Sequence, residues 1–172
     1  MRISVLMLAA LIVGSATGAA EEASVKIEGK VIAVKYSPGS VKGRKIFGGA
    51  VPYNQVWRIG ETTAAALHTE ADLVFQGATV PKGDYTLYIL IDAAKWQLII
   101  SRQTGPNAVT YNAKMDLGRV PMSINTAPAP IETCKITITK TAALAARLEL
   151  AWEKTVASAT FHLDKVAADT EW

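Results

Sequence analysis

The chain has few of the residues that usually disclose a chemistry. One cysteine and two histidines occur in 172 residues. Cys134 stands alone, so no intrachain disulfide is possible. His68 and His162 form no HExxH string, and His68 with Glu61 or Asp72 matches no zinc-ligand spacing, so no metal site is expected. The GxSxG string is absent, and with it the nucleophile elbow of α/β-hydrolases. Neither GxGxxG nor GxxxxGK followed by Ser or Thr occurs, which removes the glycine-rich phosphate cradles and leaves no cofactor to expect. After residue 20 no segment approaches the roughly eighteen apolar residues of a membrane-spanning helix. Charge of one sign is also scarce. Of the 18 Lys and Arg residues only Arg2 lies in the first twenty positions, so the remainder balances 15 acidic residues to a net charge of +2. That balance gives no electrostatic case for nucleic acid.

What is present begins with MRISVLMLAALIVGSATGAA. Arg2 precedes an apolar run from Val5 to Val13, and Ala16, Gly18, Ala19 and Ala20 offer small residues for cleavage. This order predicts a secretory signal peptide over 1–20, because the run is too short for a bilayer core of roughly 30 Å. The rest, 21–172, is the length of one well-buried domain, exported to the periplasm or beyond.

Beyond residue 24 the hydrophobic pattern repeats every second residue. In DYTLYILID, Tyr85, Leu87, Ile89 and Ile91 share a face, and WQLIIS alternates again after four polar or small residues, so the two predict a hairpin. In ALAARLELAWE, Leu144, Ala146, Leu148, Leu150 and Trp152 share a face although the composition favours a helix. A return strand follows from Thr155 to Leu163, with Ala157, Ala159, Phe161 and Leu163 inward. Further strands are expected over 25–36 (kinked at Gly29), 64–69, 71–75 and 134–140, with loops over 102–112 and 127–130 and a frayed end after Leu163. Cys134, Ile136 and Ile138 share a face, which reads the cysteine as a small buried hydrophobe. Eight or nine short strands point to an antiparallel β-sandwich, jelly-roll or immunoglobulin-like.

The least strand-like stretch is 37–63, SPGSVKGRKIFGGAVPYNQVWRIGETT. Its glycines and prolines predict a shaped loop, and rigid loops on β-scaffolds carry function. The candidate ligand-binding residues are Arg44, Lys45, Tyr53, Trp57, Arg58 and Glu61. Lys42, Arg44 and Lys45 read as an anion-attracting patch or, more commonly, a solvated turn. Tyr53 and Trp57 read as a stacking platform for a sugar or peptide or as core plugs. Arg58 follows Trp57, so in an extended segment it points to the opposite face, toward a carboxylate such as Glu61 or Asp116 or toward a ligand anion. Asp116 and Arg119 are spaced for a surface ion pair.

KGRKIFGGAVPYNQVWRIG, VPKGDYTLYIL, KWQLIIS, DLGRVPM and LELAWEKT resemble, in that order, the exported bacterial family filed as domain of unknown function 2911. The resemblance covers about residues 35–163. It implies an exported domain without an assigned activity. Where the family commonly has Ala-Asn-Glu after the glycine that follows VWR-x, this chain has Glu61-Thr62-Thr63 after Gly60, so any site built on that Asn and Glu is altered here. Two functions are therefore expected to compete. One is a non-catalytic module binding a small ligand, glycan or envelope protein through loop 37–63. The alternative is a hydrolase using His68, Glu61 or Asp116 as acid/base groups, which needs at least two of them in one pocket.

Overall fold

The computed structural model describes residues 19–165, so the expected signal peptide over 1–20 falls almost wholly outside the described residues, as does most of the expected frayed tail. The strands are β1 (Glu21–Ile27), β2 (Lys30–Tyr36), β3 (Gln55–Arg58), β4 (Ala65–Thr69), β5 (Leu73–Phe75), β6 (Ala78–Val80), β7 (Gly83–Ile91), β8 (Trp96–Ser101), β9 (Asp116–Ala142) and β10 (Ala145–Leu163). They run antiparallel in one ten-stranded sheet of order β1-β2-β4-β7-β8-β9-β10-β5-β6, with β3 added to β7. The all-β antiparallel expectation holds. β9 makes the sheet continuous, since it pairs with β8 between Asp116 and Met122 and with β10 between Ser123 and Ala142.

Alternation explains why these segments are strands. Tyr85, Leu87, Ile89 and Ile91 of β7 are buried, as are Ala146, Leu148, Leu150 and Trp152 of β10. All join one core, in which Leu87 and Ile89 meet Leu148 and Leu150 across a narrow gap. Both edge strands of the sheet, β1 and β6, lie against β9. The opposite face of β7 is covered too. Tyr88 is fully buried, donates a 2.6 Å hydrogen bond to the Ala108 carbonyl and packs edge-on against Tyr111. The segment between β8 and β9 closes over it, held by the Gln103 side chain, which donates to Thr110 O at 2.8 Å and accepts from Asn112 N at 2.9 Å.

Two local readings change in the structure. Residues 25–36 form two strands rather than one kinked strand, because Glu28 (φ 52°) and Gly29 (φ 74°) make a two-residue hairpin loop with Ile27 opposite Lys30. Positive φ at both central positions marks a primed turn, which normally announces itself with Asn or Asp rather than Glu. Residues 127–130 belong to β9 rather than to a separate loop. They lie between Thr126, opposite Thr155, and Ile131, opposite Glu153, so four residues of β9 face a single residue of β10. Pro128 and Pro130 lack the N–H a ladder requires and sit where it is interrupted.

The course of β10 follows from one hydrogen bond. Nineteen extended residues span about 60 Å, yet the Leu163 N–H reaches the Leu144 carbonyl at 2.9 Å. The element therefore doubles back. It does so at Glu153, whose φ is 55°, where buried positions switch from even (148, 150, 152) to odd (157, 159, 161). The outgoing and return segments expected from the sequence are the two arms, and residues 127–130 of β9 bend around their tip.

Candidate functional site

The tip of β10 meets loop 37–63 at one end of the core. Trp152, the last residue before the turn, stacks on Trp57 of β3 with ring centres 5.9 Å apart and planes 23° apart. Phe47 stands edge-on to both, at 5.9 Å from Trp57 and 6.1 Å from Trp152, and contacts Trp96 at 4.6 Å. Edge-to-face and offset arrangements at these distances are the favourable ones for aromatic quadrupoles. The cluster seals the core and leaves Trp57 partly buried. Gly39 makes room for it, since a side chain there would begin 3.1 Å from the Trp152 ring.

Two carboxylates pin the loop through its backbone. Glu153 accepts from Ile46 N at 2.6 Å, and Glu132 accepts from Lys42 N at 2.9 Å. The Glu132 carbonyl also accepts from Val41 N and from the Trp152 indole at 3.1 Å. Buried Ser37 ties down the far end: its Oγ accepts from Thr62 N and Thr63 N at 3.0 and 3.1 Å and donates to Thr63 O at 3.1 Å. Of the non-glycine residues with positive φ among those described, Lys42 and Asn54 lie in this loop and Glu153 holds it. Such conformations cost of order 1–3 kcal/mol each and persist where surrounding contacts over-determine them, often at functional sites.

Two adjoining clefts result. The first, of about 160 Å³, is lined among others by Arg44, Glu61, Cys134 and Trp152. The second, of about 240 Å³, is lined among others by Pro52, Gln55 and Arg58. Ala50, Val51, Trp57 and Gly60 line both, so Trp57 stands on the divide.

Four of the six residues singled out in the sequence converge here: Arg44, Trp57, Arg58 and Glu61. Arg44 donates to the Ser40 and Val41 carbonyls at 2.7 and 3.1 Å, which fixes its direction. Lys45 and Tyr53 line neither cleft. Lys45 is solvent-exposed, and Tyr53 lies over Gly48. Arg58 does not pair with the carboxylate of Glu61 or Asp116. Its guanidinium makes one hydrogen bond among the described residues, a 3.3 Å contact to the Glu61 carbonyl. Asp116 is engaged elsewhere, by Tyr111 at 2.7 Å and Arg119 at 3.3 Å.

Cys134 is buried on the wall of the first cleft, and burial, assisted by the charge of Glu21, pushes its thiol up to about 12. A protonated thiol is a poor nucleophile and a poor metal ligand, so Cys134 acts as apolar wall. The acid/base candidates stay apart. His68 of β4 holds Asp84 at 2.7 Å on the exposed sheet face, Asp116 pairs on β9, and Glu61 rims the first cleft. Sequence reasoning missed Trp152, Glu132 and Glu153 as site residues. Trp152 carried a signal, being an inward residue at a change of alternation, but it read only as core.

The molecule is thus an all-β antiparallel domain with an aromatic double cleft where a clamped loop meets a hairpin tip. The model of the family described as protein of unknown function (DUF2911) matches residues 18–161, and the chain belongs to that family. No curated protein and no solved structure matches it. The matched region contains the whole of loop 37–63 and the tip of β10. No helix among the described residues is long and apolar enough to cross a membrane.

Proposed function

We propose that this protein is an exported binding module that holds a small ligand, such as a glycan fragment or part of an envelope protein, in the clefts on either side of Trp57. One observation carries the reading. A partly buried aromatic residue, Trp57, lines both clefts of a concave surface whose loop is fixed by two carboxylates and a buried serine. A preformed concave site of this kind lowers the ordering cost of binding. In this reading the sheet works as a two-layer sandwich folded over at β9, with the clefts at one open end, and the first twenty residues direct export.

The test is mass spectrometry of molecules retained by protein purified from its native envelope fraction. A retained species present with the wild type and absent with Trp57→Ala, at equal folding, is the expected result. Identical spectra for both would remove the cleft from the function.

A further inference from the structure

We infer that the second cleft receives an extended peptide segment of another protein, which adds to β3 as a further strand by hydrogen bonding to the backbone of Val56 and Arg58. The inference rests on the binding reading above and narrows the ligand to a polypeptide. Its starting point is the lining of the cleft. Gln55, Val56, Trp57 and Arg58, the whole of β3, line it together. Successive residues of a strand point to opposite faces, so a cleft that touches all four runs along the strand's edge and meets its backbone. Ala50, Val51 and Pro52 form the facing wall. The topology explains why this edge is open. β3 and β4 lie end to end along one side of β7, opposite residues 88–91 and 83–87. β2 covers the far side of β4, pairing residues 32–35 with 66–69. It then ends at Tyr36, and the chain crosses to β9, where Ser40 bridges Thr133. β3 is left without the neighbour that β4 has. The terminal edge strands β1 and β6 lie against β9, whereas among the described residues β3 has a strand alongside it only at β7.

Alternation decides which backbone groups face the cleft. The Ile91 carbonyl accepts from Asn54 N at 2.6 Å, so the backbone of Ile91 is turned toward β3. Ile89, two residues away, is turned the same way and meets Trp57 opposite it. Val56 and Arg58 therefore turn their N–H and C=O groups away from β7 and into the cleft. Outside the β7 ladder, neither residue makes a backbone–backbone hydrogen bond among the described residues. Two residues one apart, each offering a donor and an acceptor along an edge, are the template that an added strand completes. Short edges are often protected by a proline, but Pro52 lies across the cleft and removes no donor from β3. The residue of the added strand opposite Trp57 shares its face and packs on the indole, which favours an apolar or aromatic side chain there.

The test is selection from a displayed library of random hexapeptides against the purified protein, followed by amide hydrogen exchange of the free and peptide-bound forms. The free protein is expected to protect the Trp57 amide and to leave those of Val56 and Arg58 exchanging rapidly. The selected peptide should slow both by about a hundredfold or more. Methylating alternate backbone nitrogens of that peptide should abolish binding in one phase and spare it in the other, because a strand pairs along one edge. Val56→Pro removes an outward donor and leaves the ladder to β7 intact, so it should weaken binding about tenfold or more while the melting temperature stays within a few degrees of wild type. Should that variant fail to fold, exchange and the methylated peptides on the wild-type protein decide the matter. Val56 and Arg58 amides as protected as Trp57 in the free protein overturn the open edge. Equal sensitivity to both methylation phases overturns strand addition. Protection of the two amides that rises with protein concentration and accompanies a dimer overturns the foreign peptide and assigns the edge to a second copy of the chain. Failure to select any peptide overturns the polypeptide assignment, while the retained-ligand spectra judge the cleft separately.

Discussion

Gly60 is the point where the structure most sharply limits the sequence, and replacing it with alanine is a quantitative test of how the loop is built. Its φ of 129° lies in a region that L side chains rarely adopt. A methyl group there would overlap the Thr63 carbonyl oxygen and stand 3.0 Å from Ser37 Oγ. The conformation alone costs about 1–3 kcal/mol. Because the obstructing atom is backbone, the Thr63 carbonyl must move, which loosens its bond from Ser37 and the bonds from Thr62 N and Thr63 N. Losing one or two of these adds about 0.5–1.5 kcal/mol each. Gly60→Ala should therefore destabilise by about 2–5 kcal/mol, read by urea unfolding, or by roughly 5–15 °C in melting temperature. Gly43→Ala is the control. Its φ is 72° but nothing lies within 4 Å of the added carbon, so only the conformational cost of about 1–2 kcal/mol applies. In a Ser37→Ala background Gly60→Ala should cost less, since the clamp is already gone. A loss below about half a kcal/mol, or one equal to that of Gly43→Ala, would refute the Ser37 clamp.

Leu150→Ala removes a side chain that is 3% exposed from the centre of the core and should cost about 2–5 kcal/mol in chemical denaturation; a loss below about half a kcal/mol would mean the β10 face is inverted. Alkaline pH should destabilise the fold through Tyr36 and Cys134, both pushed up to about 12 chiefly by burial. Each is neutral when protonated and holds its proton more tightly when folded, so the stability it contributes is complete below its unfolded pKa and lost as pH rises from about 9 to about 12. A melting temperature flat from pH 9 to 11, or Cys134 reacting with a thiol reagent at pH 8 as fast as free cysteine, would contradict this. N-terminal sequencing of exported material should begin near Glu21, and material starting at Met1 would sink the export reading.

Much of this fold is legible from alternation, because burial on one face of a strand writes a period of two into the sequence. Trp96–Ser101 was expected as a strand with those limits, and β7 nearly so. The two arms of β10 were legible because their apolar positions change parity between Trp152 and Ala157. Short or exposed strands left no such mark. The four residues of β3 are half-buried or exposed, those of β6 number three, and residues 123–126 of β9 are exposed throughout. The site was half legible. Loop 37–63 stands out by its glycines, and Trp57, Arg58, Arg44 and Glu61 come from it directly. Trp152, Glu132 and Glu153 reach it from about a hundred residues away through the bend of β9 around the β10 tip. No local pattern encodes that meeting. The expected Arg58 carboxylate pair failed for a similar reason: Asp116 was placed correctly opposite Arg119, and that partnership removes it from Arg58.

The central claim is that the cleft beside Trp57 is an occupied binding site. Its most direct test is a high-resolution electron-density map of protein taken from the native envelope fraction and crystallised without a ligand-stripping step. The expected result is non-water density in the clefts against the Trp57 indole. Ordered water alone in both clefts would contradict it.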